Sequence, residues 1–249
     1  MTVNMQKKNS ERTVATALPI NEFFISIQGE GRFAGQPALF IRFNYCNLGC
    51  TWCDTRYTWD AKQIETDIIM SAEEIARRAR EEADSASVEL SSLHVVLTGG
   101  EPMLHQKILP EVIKQLRSSG IEFVEIETNG TIVPTDAMKE AVDWWNCSPK
   151  LANSGGKRKE CIVPEALAAI SGTGRADFKF VICDDSDIEE IQKDFLEHIP
   201  AQRVILMPEG STREKQIANT PEIIDLCLKH GFRFSPRLHI LAWDNERKK

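Results

Sequence analysis

The sequence predicts an α/β protein built around a parallel β-sheet. Short apolar runs typical of strands alternate with amphipathic stretches typical of helices, in about six strand–helix units. Polar motifs follow the expected C-terminal ends of several strands, where the binding sites of α/β barrels lie. No Gly-x-Gly-x-x-Gly motif follows a strand, which does not favour a dinucleotide-binding fold. This pattern leaves an open doubly wound sheet and a full or partial barrel as alternatives.

The first half of the chain contains four predicted strands, which are rich in β-branched and aromatic residues and end at turn residues. They cover residues 21–27, 38–43, 93–97 and 123–126. Ser71 and Glu74 form a capping-box pattern that starts a helix reaching about residue 82. A second helix is predicted from about residue 106 to 118, and Gly120 ends it.

The second half repeats the alternation. Strands are predicted over 144–147, 178–183, 204–207 and 232–235, and helices over 136–142, after Pro164, and over 186–198. The last helix is expected to begin at Thr220-Pro221, with threonine as N-cap and proline at the first helical position. Gly231 is expected to end it.

Composition indicates a globular chain of ordinary charge. The 249 residues are 42% hydrophobic, which is enough to bury a full core. A net charge of −7 argues against a broad nucleic-acid surface, and no stretch approaches the ~20 apolar residues of a membrane span. We therefore expect a flexible N-terminal tail over residues 1–18, a single core domain over 19–249, no nucleic-acid or membrane partner, and a cytoplasmic location.

Three of the seven cysteines are closely spaced. Cys46, Cys50 and Cys53 form a Cys-x3-Cys-x2-Cys pattern directly after a predicted strand. Thiolates suit iron–sulfur clusters, zinc or copper(I), and three of them would hold a 4Fe-4S cube with one iron open to another ligand. A structural zinc site is the alternative. The other cysteines are scattered and are expected to be small buried hydrophobes.

Further polar motifs follow the strands. Each could be an ordinary turn: Thr98-Gly99-Gly100-Glu101-Pro102, Glu127-Thr128-Asn129-Gly130 and Ser148-Pro149-Lys150. In the turn Gln28-Gly29-Glu30-Gly31, two glycines flank a carboxylate. This arrangement is typical of a tight turn whose backbone approaches another group closely. Arg42 interrupts an apolar strand, so it either extends to solvent or reaches into a site, where its fork suits a carboxylate.

The cysteine loop, with Trp52 before the third cysteine, resembles that of the radical S-adenosylmethionine (SAM) superfamily, and the order of the strand-end motifs is similar. Within it, the chain resembles the 7-carboxy-7-deazaguanine synthase family from Phe23 to about His239. The most specific stretches are Ile27-Gln28-Gly29-Glu30-Gly31, Phe40-Ile41-Arg42-Phe43, Cys53-Asp54-Thr55 and Thr98-Gly99-Gly100-Glu101-Pro102. The resemblance implies a partial (βα)6 TIM-like barrel of the radical SAM type with parallel strands.

That family rearranges 6-carboxy-5,6,7,8-tetrahydropterin into 7-carboxy-7-deazaguanine and releases ammonia, on the way to queuosine and related 7-deazapurines. The resemblance therefore implies a carbon–nitrogen lyase. It implies that a reduced cluster cleaves SAM and that the resulting 5′-deoxyadenosyl radical takes a hydrogen from C6 of the pterin. The hydrogen is later returned, so that the cofactor is regenerated. No side chain is expected to be catalytic, because the radical forms on the cofactor.

The resemblance also implies the roles of individual residues. The cluster ligands would be Cys46, Cys50 and Cys53, and Thr55 would bind Mg2+. The substrate-binding residues would be Ile27, Gln28, Gly29, Glu30, Arg42, Thr98 and His239. The residues that bind SAM would be Gly100, Glu101, Glu127, Asn129, Ser148, Pro149 and Lys150. The partners implied are a small pterin substrate, a one-electron donor such as flavodoxin, and a second copy of the chain in a homodimer.

Two other functions are compatible with the cysteine pattern. A glycyl-radical-enzyme activase shares the cysteine spacing, but the turn Gln28 to Gly31 and the Asp54-Thr55 pair argue against it. A non-enzymatic zinc scaffold is the second alternative. The chain also departs from many relatives, in which a terminal carboxylate soon after a histidine helps to close the site. Here ten residues follow His239, so we do not expect that role.

Overall fold

The computed structural model describes residues 17–64 and 68–248. The strands are β1 (Ala17–Ile27), β2 (Pro37–Phe43), β3 (Ile68–Ser71), β4 (His94–Gly99), β5 (Phe123–Thr128), β6 (Trp144–Cys147), β7 (Ala176–Ile182), β8 (Val204–Pro208) and β9 (Arg233–Phe234). The helices are α1 (Ala72–Ala86), α2 (Leu109–Ser118), α3 (Asp136–Ala141), α4 (Arg158–Cys161), α5 (Pro164–Ser171), α6 (Asp185–Asp194), α7 (Arg213–His230) and α8 (Leu238–Trp243).

The strands form one sheet in the order β3-β1-β2-β4-β5-β6-β7-β8-β9. Neighbours from β2 to β9 are parallel, whereas β1 is antiparallel to both β2 and β3. The prediction of a partial barrel is confirmed, and β3 and β9 are the two ends of the sheet, so the barrel is not closed. The connection from β1 to β2 is too short for a crossover, which is why β1 is antiparallel.

Alternation along the strands separates an outer face in the main core from an inner face that carries charged and amide side chains beside a small apolar cluster of Ala38, Phe40 and Val96. In β2, Leu39 and Ile41 belong to the main core under the helices, while Arg42 faces the other way. In β5, Val124 and Ile126 belong to that core, and the buried Glu125 lies between them. Charged and amide side chains are therefore brought together inside the barrel, where low solvent exposure requires each of them to find a partner.

The segment between β1 and β2 closes the N-terminal end of the barrel. The ring of Phe33 packs edge-on against residues at the starts of three strands, at centroid distances of 5.2 Å from His94, 5.0 Å from Phe123 and 5.8 Å from Trp144. Phe33 thus anchors the segment that carries Gln28 and Glu30 into the interior.

The prediction for the last long helix was wrong at its start. Helix α7 begins at Arg213, where the Thr212 hydroxyl accepts a hydrogen bond from Lys215 N over 3.4 Å. Pro221 lies inside the helix, and the Thr220 hydroxyl donates to Gln216 O over 2.6 Å. Threonine followed by proline is an N-terminal pattern, but the helix already has a satisfied cap one turn or more earlier.

Other elements differ from expectation in smaller ways. Strand β3 and helix α8 were not predicted, and α6, predicted over residues 186–198, begins at Asp185, where Asp184 and Asp187 form a capping box. Ala17 and Leu18 of the predicted tail lie in β1, and Leu18 is buried. The rest of that tail lies outside the described residues. Within residues 17–64 and 68–248, no helix combines the length and apolar character needed to cross a bilayer.

Candidate active site

One cavity inside the barrel brings together the motifs of the sequence. Its wall includes all the residues predicted to bind the cluster, Mg2+ and the substrate. Of the residues predicted to bind SAM, five line it: Gly100, Glu127, Asn129, Ser148 and Lys150. Glu101 and Pro149 are buried behind the wall instead. The sequence order of the motifs thus becomes a single three-dimensional site.

The cysteine loop leaves β2 and runs without regular secondary structure between two neighbours. On one side, Gly100 N donates to Phe43 O over 3.0 Å. On the other, Thr51 N donates to Ser154 O over 2.9 Å. These backbone bonds fix the loop at both flanks, so its thiols are held against the cavity by the ends of β2 and β4 and by the turn after β6.

Gly99 and Gly100 are required by the close approach of two backbones. A Cβ on Gly99 would lie 2.2 Å from Phe43 O, and one on Gly100 would lie 2.1 Å from Tyr45 O. Gly99 also has φ +139°, in the region that side chains disfavour. Any side chain here would push the cysteine loop away from β4.

The three thiols fit an iron–sulfur cluster by their chemistry and their surroundings. Leu48 N donates to Cys46 Sγ over 3.4 Å, and Trp59 Nε1 donates to Cys53 Sγ over 3.3 Å. Such N–H donors to sulfur tune the potential of iron–sulfur clusters. Burial raises the pKa of Cys46 to about 11, so a metal that binds must displace its proton.

Among residues 17–64 and 68–248, no three His, Cys, Asp or Glu side chains converge closely enough to hold a single metal ion. Each thiolate of a 4Fe-4S cube binds a different iron, so the ligands of a cube need not converge on one point.

The ends of β5 and β6 meet the cysteine loop from the side expected for SAM. Lys150 Nζ donates to Ser148 Oγ over 2.8 Å and lies 5.4 Å from the centre of the Trp52 ring. Asn129 Nδ2 donates to Asn47 Oδ1 over 2.9 Å. A cation and several polar groups therefore stand next to the thiols, as a zwitterionic ligand requires.

Glu101 shapes this wall without being part of it. Its buried carboxylate accepts hydrogen bonds from Met103 N over 2.9 Å, Thr128 Oγ1 over 2.7 Å and Asn129 N over 2.7 Å. Burial raises its pKa. Two of these contacts hold the end of β5 and the turn after it, and the third holds the turn after β4, whereas the resemblance implies a direct contact with the cofactor.

The Gln28 amide is oriented by two carboxyl groups of β5. Its Nε2 donates to Glu125 Oε1 over 2.6 Å and to Glu127 Oε1 over 3.4 Å, and its Oε1 accepts from Glu30 N over 3.2 Å. Because both donors are engaged by the protein, a ligand can meet only the remaining lone pair of Oε1. Gln28 is thus set to accept a hydrogen bond from an N–H group.

Glu127 belongs to the substrate side of the cavity. Its Oε2 accepts from Thr98 Oγ1 over 2.8 Å, and its Oε1 lies 3.6 Å from Lys179 Nζ. The resemblance implies a contact with SAM for Glu127, whereas the structure groups it with Gln28 and Thr98.

Glu30 lies between two cations. Lys179 Nζ approaches its Oε2 within 3.0 Å, and Arg237 Nε donates to its Oε1 over 2.8 Å. Burial alone would raise the pKa of Glu30, but these charges hold it well below its usual range. Arg237 also pairs with Asp54, the residue after Cys53. The substrate turn, the cysteine loop and the segment after β9 therefore share one ionic network.

Arg42 reaches into the site, one of the two outcomes that its position allowed. Its Nε donates to Glu22 Oε2 over 2.9 Å across the β1–β2 pair, and it lines the cavity. His239 packs directly on Gly29, where a Cβ would lie 2.1 Å from His239 Nδ1. Burial lowers the pKa of His239. Only glycine at position 29 lets this ring reach the wall.

Sequence reasoning missed several charged residues of the site, chiefly Glu22, Lys179 and Arg237. Lys179 carried a signal, because it interrupts the apolar strand β7 at an inward position, as Arg42 does in β2. Arg237 lies on a loop after Pro236 and had no local signal.

Comparisons with known proteins agree with this geometry. A family model described as the radical SAM superfamily matches residues 40–163. The chain is 38% identical over 231 residues to a 7-carboxy-7-deazaguanine synthase of Pyrobaculum aerophilum, covering 92% of this chain and 96% of the relative. A 7-carboxy-7-deazaguanine synthase of Halobacterium salinarum is 36% identical, covering 92% and 91%. The crystal structure of QueE from Escherichia coli superposes with a TM-score of 0.68 at 27% identity, covering 90% and 95%.

Proposed function

We propose a reaction for this chain, which belongs to the 7-carboxy-7-deazaguanine synthase family of the radical SAM superfamily. The chain converts 6-carboxy-5,6,7,8-tetrahydropterin to 7-carboxy-7-deazaguanine with release of ammonia. It is a radical SAM lyase of 7-deazapurine biosynthesis that uses SAM and a 4Fe-4S cluster. When bound, the reduced cluster and SAM supply the radical that abstracts hydrogen from the substrate.

The observation that carries this proposal is the division of one cavity into two halves. Three thiols, Lys150 and Ser148 form the half that suits the cluster and SAM. Gln28, Arg42 and a dense set of paired charges form the other half, which suits a polar ring with a carboxylate. The residues of the first half would hold the cluster and SAM next to a substrate held by the residues of the second half, within the same barrel.

The substrate half supplies recognition through groups whose orientation is already fixed. Gln28 offers an acceptor to a ring N–H, and the guanidinium of Arg42 offers donors to a carboxylate. Phe24 and Phe40 stack at 4.9 Å beside Arg42 and give an apolar wall for a flat ring. Because these side chains are held by neighbours, the ring is positioned at little further entropic cost.

A magnesium ion at Thr55 is a further part of the proposal. Thr55 lines the cavity, and its Oγ1 lies 3.6 Å from Cys53 Sγ. Mg2+ prefers oxygen ligands and keeps several waters, so one threonine and the oxygens of a substrate would suffice to hold it. The ion would stabilise negative charge on the substrate during the rearrangement.

The deciding experiment is anaerobic turnover of 6-carboxytetrahydropterin by the cluster-loaded protein with a reductant and SAM. We expect 7-carboxy-7-deazaguanine and ammonia to form in equal amounts while SAM is not consumed. A glycyl-radical-enzyme activase would instead consume SAM, and a zinc scaffold would give a colourless, iron-free protein. Absence of product from an iron-replete protein would refute the proposal.

The homodimer, flavodoxin as electron donor, and a cytoplasmic location rest on the family resemblance alone. They stay predictions, as does the single core domain over residues 19–249.

A further inference from the structure

The segment that follows His239 lies across the cavity. Residues 240–248, here called the C-terminal strap, comprise the end of α8 and the turn after it, and several of them line the cavity wall. Arg213 anchors the strap from the start of α7: its Nε donates to Leu241 O and its terminal nitrogen to Ala242 O, both over 2.8 Å. The strap is therefore a built part of the site.

Arg247 of the strap contacts the wall that carries Arg42. Its Nε and a terminal nitrogen donate to Glu22 Oε1 over 3.1 and 2.6 Å. Its guanidinium carbon lies 3.9 Å from the centre of the Tyr57 ring. The other oxygen of Glu22 accepts from Arg42 Nε over 2.9 Å and from Tyr57 OH over 3.1 Å. One carboxylate thus holds two guanidinium groups side by side.

The guanidinium groups of Arg42 and Arg247 both pair with the buried carboxylate of Glu22. The Glu22 side chain is 1% exposed, while those of Arg42 and Arg247 are 15% and 41% exposed. Within the described part of the chain, Arg42 donates only through Nε, so its terminal N–H groups remain for a ligand. The guanidinium of Arg42 presents forked donors, and the guanidinium of Arg247 lies beside it on the cavity wall. This arrangement fits a carboxylate.

We propose that Arg247 is a second specificity-determining residue for the carboxylate of the substrate, acting beside Arg42. This inference rests on the proposed function, because it takes a carboxylated pterin as the ligand. Glu22 positions both guanidinium groups, and the Tyr57 ring packs against the guanidinium of Arg247. The strap thereby contributes a recognition group in addition to covering the cavity.

The test compares two stable oxidised analogues, 6-carboxypterin and 6-hydroxymethylpterin, which differ in the carboxylate. Their binding to the cluster-loaded protein with SAM is measured by anaerobic titration calorimetry. We expect Arg247→Met, which keeps the aliphatic stem, to weaken 6-carboxypterin about tenfold, as for loss of a charge-assisted contact. Binding of 6-hydroxymethylpterin should change less than about twofold, and Arg247→Lys should give an intermediate loss for 6-carboxypterin only.

Two control variants separate recognition of the carboxylate from loosening of the strap. Arg213→Ala loosens the strap but keeps Arg247 and its pair with Glu22, so it should weaken 6-hydroxymethylpterin more than Arg247→Met does and show a smaller carboxylate-selective loss. Arg158→Met removes an exposed arginine of α4, which pairs with Glu190, and should change neither. If Arg247→Met lost the same affinity for both analogues, or lost affinity for neither, the assignment would be overturned. Arg247 would then only attach the strap to Glu22.

The outcomes also distinguish this inference from the proposed function. If the wild type forms product but Arg247→Met shows no carboxylate-selective loss, the subsite fails and the function stands. If the wild type forms no product but the selective loss is observed, the carboxylate subsite stands and the assigned reaction fails.

Discussion

Lys179 Nζ lies 3.0 Å from Glu30 Oε2 inside the barrel, where the lysine side chain is only 2% exposed. A buried charge that loses its partner is costly, even where the pair itself adds little stability. We predict that Lys179→Met lowers the free energy of unfolding by about 3 kcal/mol, because Glu30 loses one of the two cations that pair with it among the described residues and keeps Arg237. Urea denaturation of the apo protein measures this change.

The double variant Lys179→Met with Glu30→Gln is the matched control. It removes both charges, so most of the lost stability should return. A double variant as unstable as Lys179→Met would mean that packing, or the Glu127 carboxylate that also loses Lys179, sets the cost rather than Glu30.

Gly100→Ala should separate the cysteine loop from β4. The added methyl would meet Tyr45 O at 2.1 Å, so the loop must move and the cluster should be lost. Gly49→Ala lies within the cysteine loop itself, yet its methyl would stand at 3.6 Å from the Trp59 ring, an ordinary contact. We expect Gly49→Ala to keep its iron and Gly100→Ala to lose it, as measured by iron content after anaerobic reconstitution. Similar iron content in both variants would contradict the role given to this contact.

Cys50→Ala should abolish cluster binding and turnover while leaving the barrel folded. Two thiolates cannot hold a cube well, whereas the main core lies under the helices and does not include Cys50. Iron content, visible absorption and far-ultraviolet circular dichroism of the same sample test this prediction together. Cys183→Ala, at an exposed cysteine outside the cavity, is the control and should keep full iron. Full iron in Cys50→Ala would remove this residue from the ligand set.

The raised pKa of Glu125 predicts that the free energy of unfolding depends on pH. Burial raises its pKa to about 7 from an ordinary value of 4.5. The folded state therefore retains a proton that the unfolded state releases, so stability falls as pH rises from about 4.5 to about 7. A shift of this size corresponds to at most about 3 kcal/mol. Glu125→Gln cannot ionise, so its stability relative to the wild type should increase between pH 5 and pH 8.

Asn146 makes this substitution tolerable. Its Nδ2 donates to Glu125 Oε2 over 2.6 Å, while its buried Oδ1 has no partner among the described residues. A flip of the Asn146 amide lets Oδ1 accept from the amide introduced at position 125. Urea unfolding of both proteins at the two pH values is the measurement, with exposed Glu122→Gln as the control. A difference that does not change with pH would show that Glu125 is ionised throughout.

Thr55→Ala should blunt the response of turnover to Mg2+ without changing iron content, because the hydroxyl oxygen is the ligand that a hard cation requires. Thr55→Ser keeps that oxygen and should retain the response. Turnover by chelator-treated protein is titrated with Mg2+ for all three proteins. Normal turnover of the chelated wild type, or a full response in Thr55→Ala, would exclude Thr55 as a metal ligand.

Local pattern was enough to predict much of this molecule. The runs of apolar, β-branched and aromatic residues at 38–43 and 123–126 predicted β2 and β5, because strand preference depends on residues close together in the chain. It was not enough for α7, where Thr220-Pro221 and Thr212 are both acceptable N-terminal signals. In the structure the helix begins at the earlier signal and packs against β8, a contact with a distant part of the chain that local pattern does not contain.

The sequence by itself determined the cysteine loop, the glycine turn that it needs, and the strand ends that carry both, because these depend on residues close together in the chain. Tertiary structure alone decided which charges meet. Glu30 and Lys179 are 149 residues apart, and Glu22 and Arg247 are 225 apart. An ion pair depends on distance in space, and that distance is set by the order of the strands in the sheet and by the path of the strap. The identity of a charged residue therefore indicates that it needs a partner, while the fold determines which partner it has.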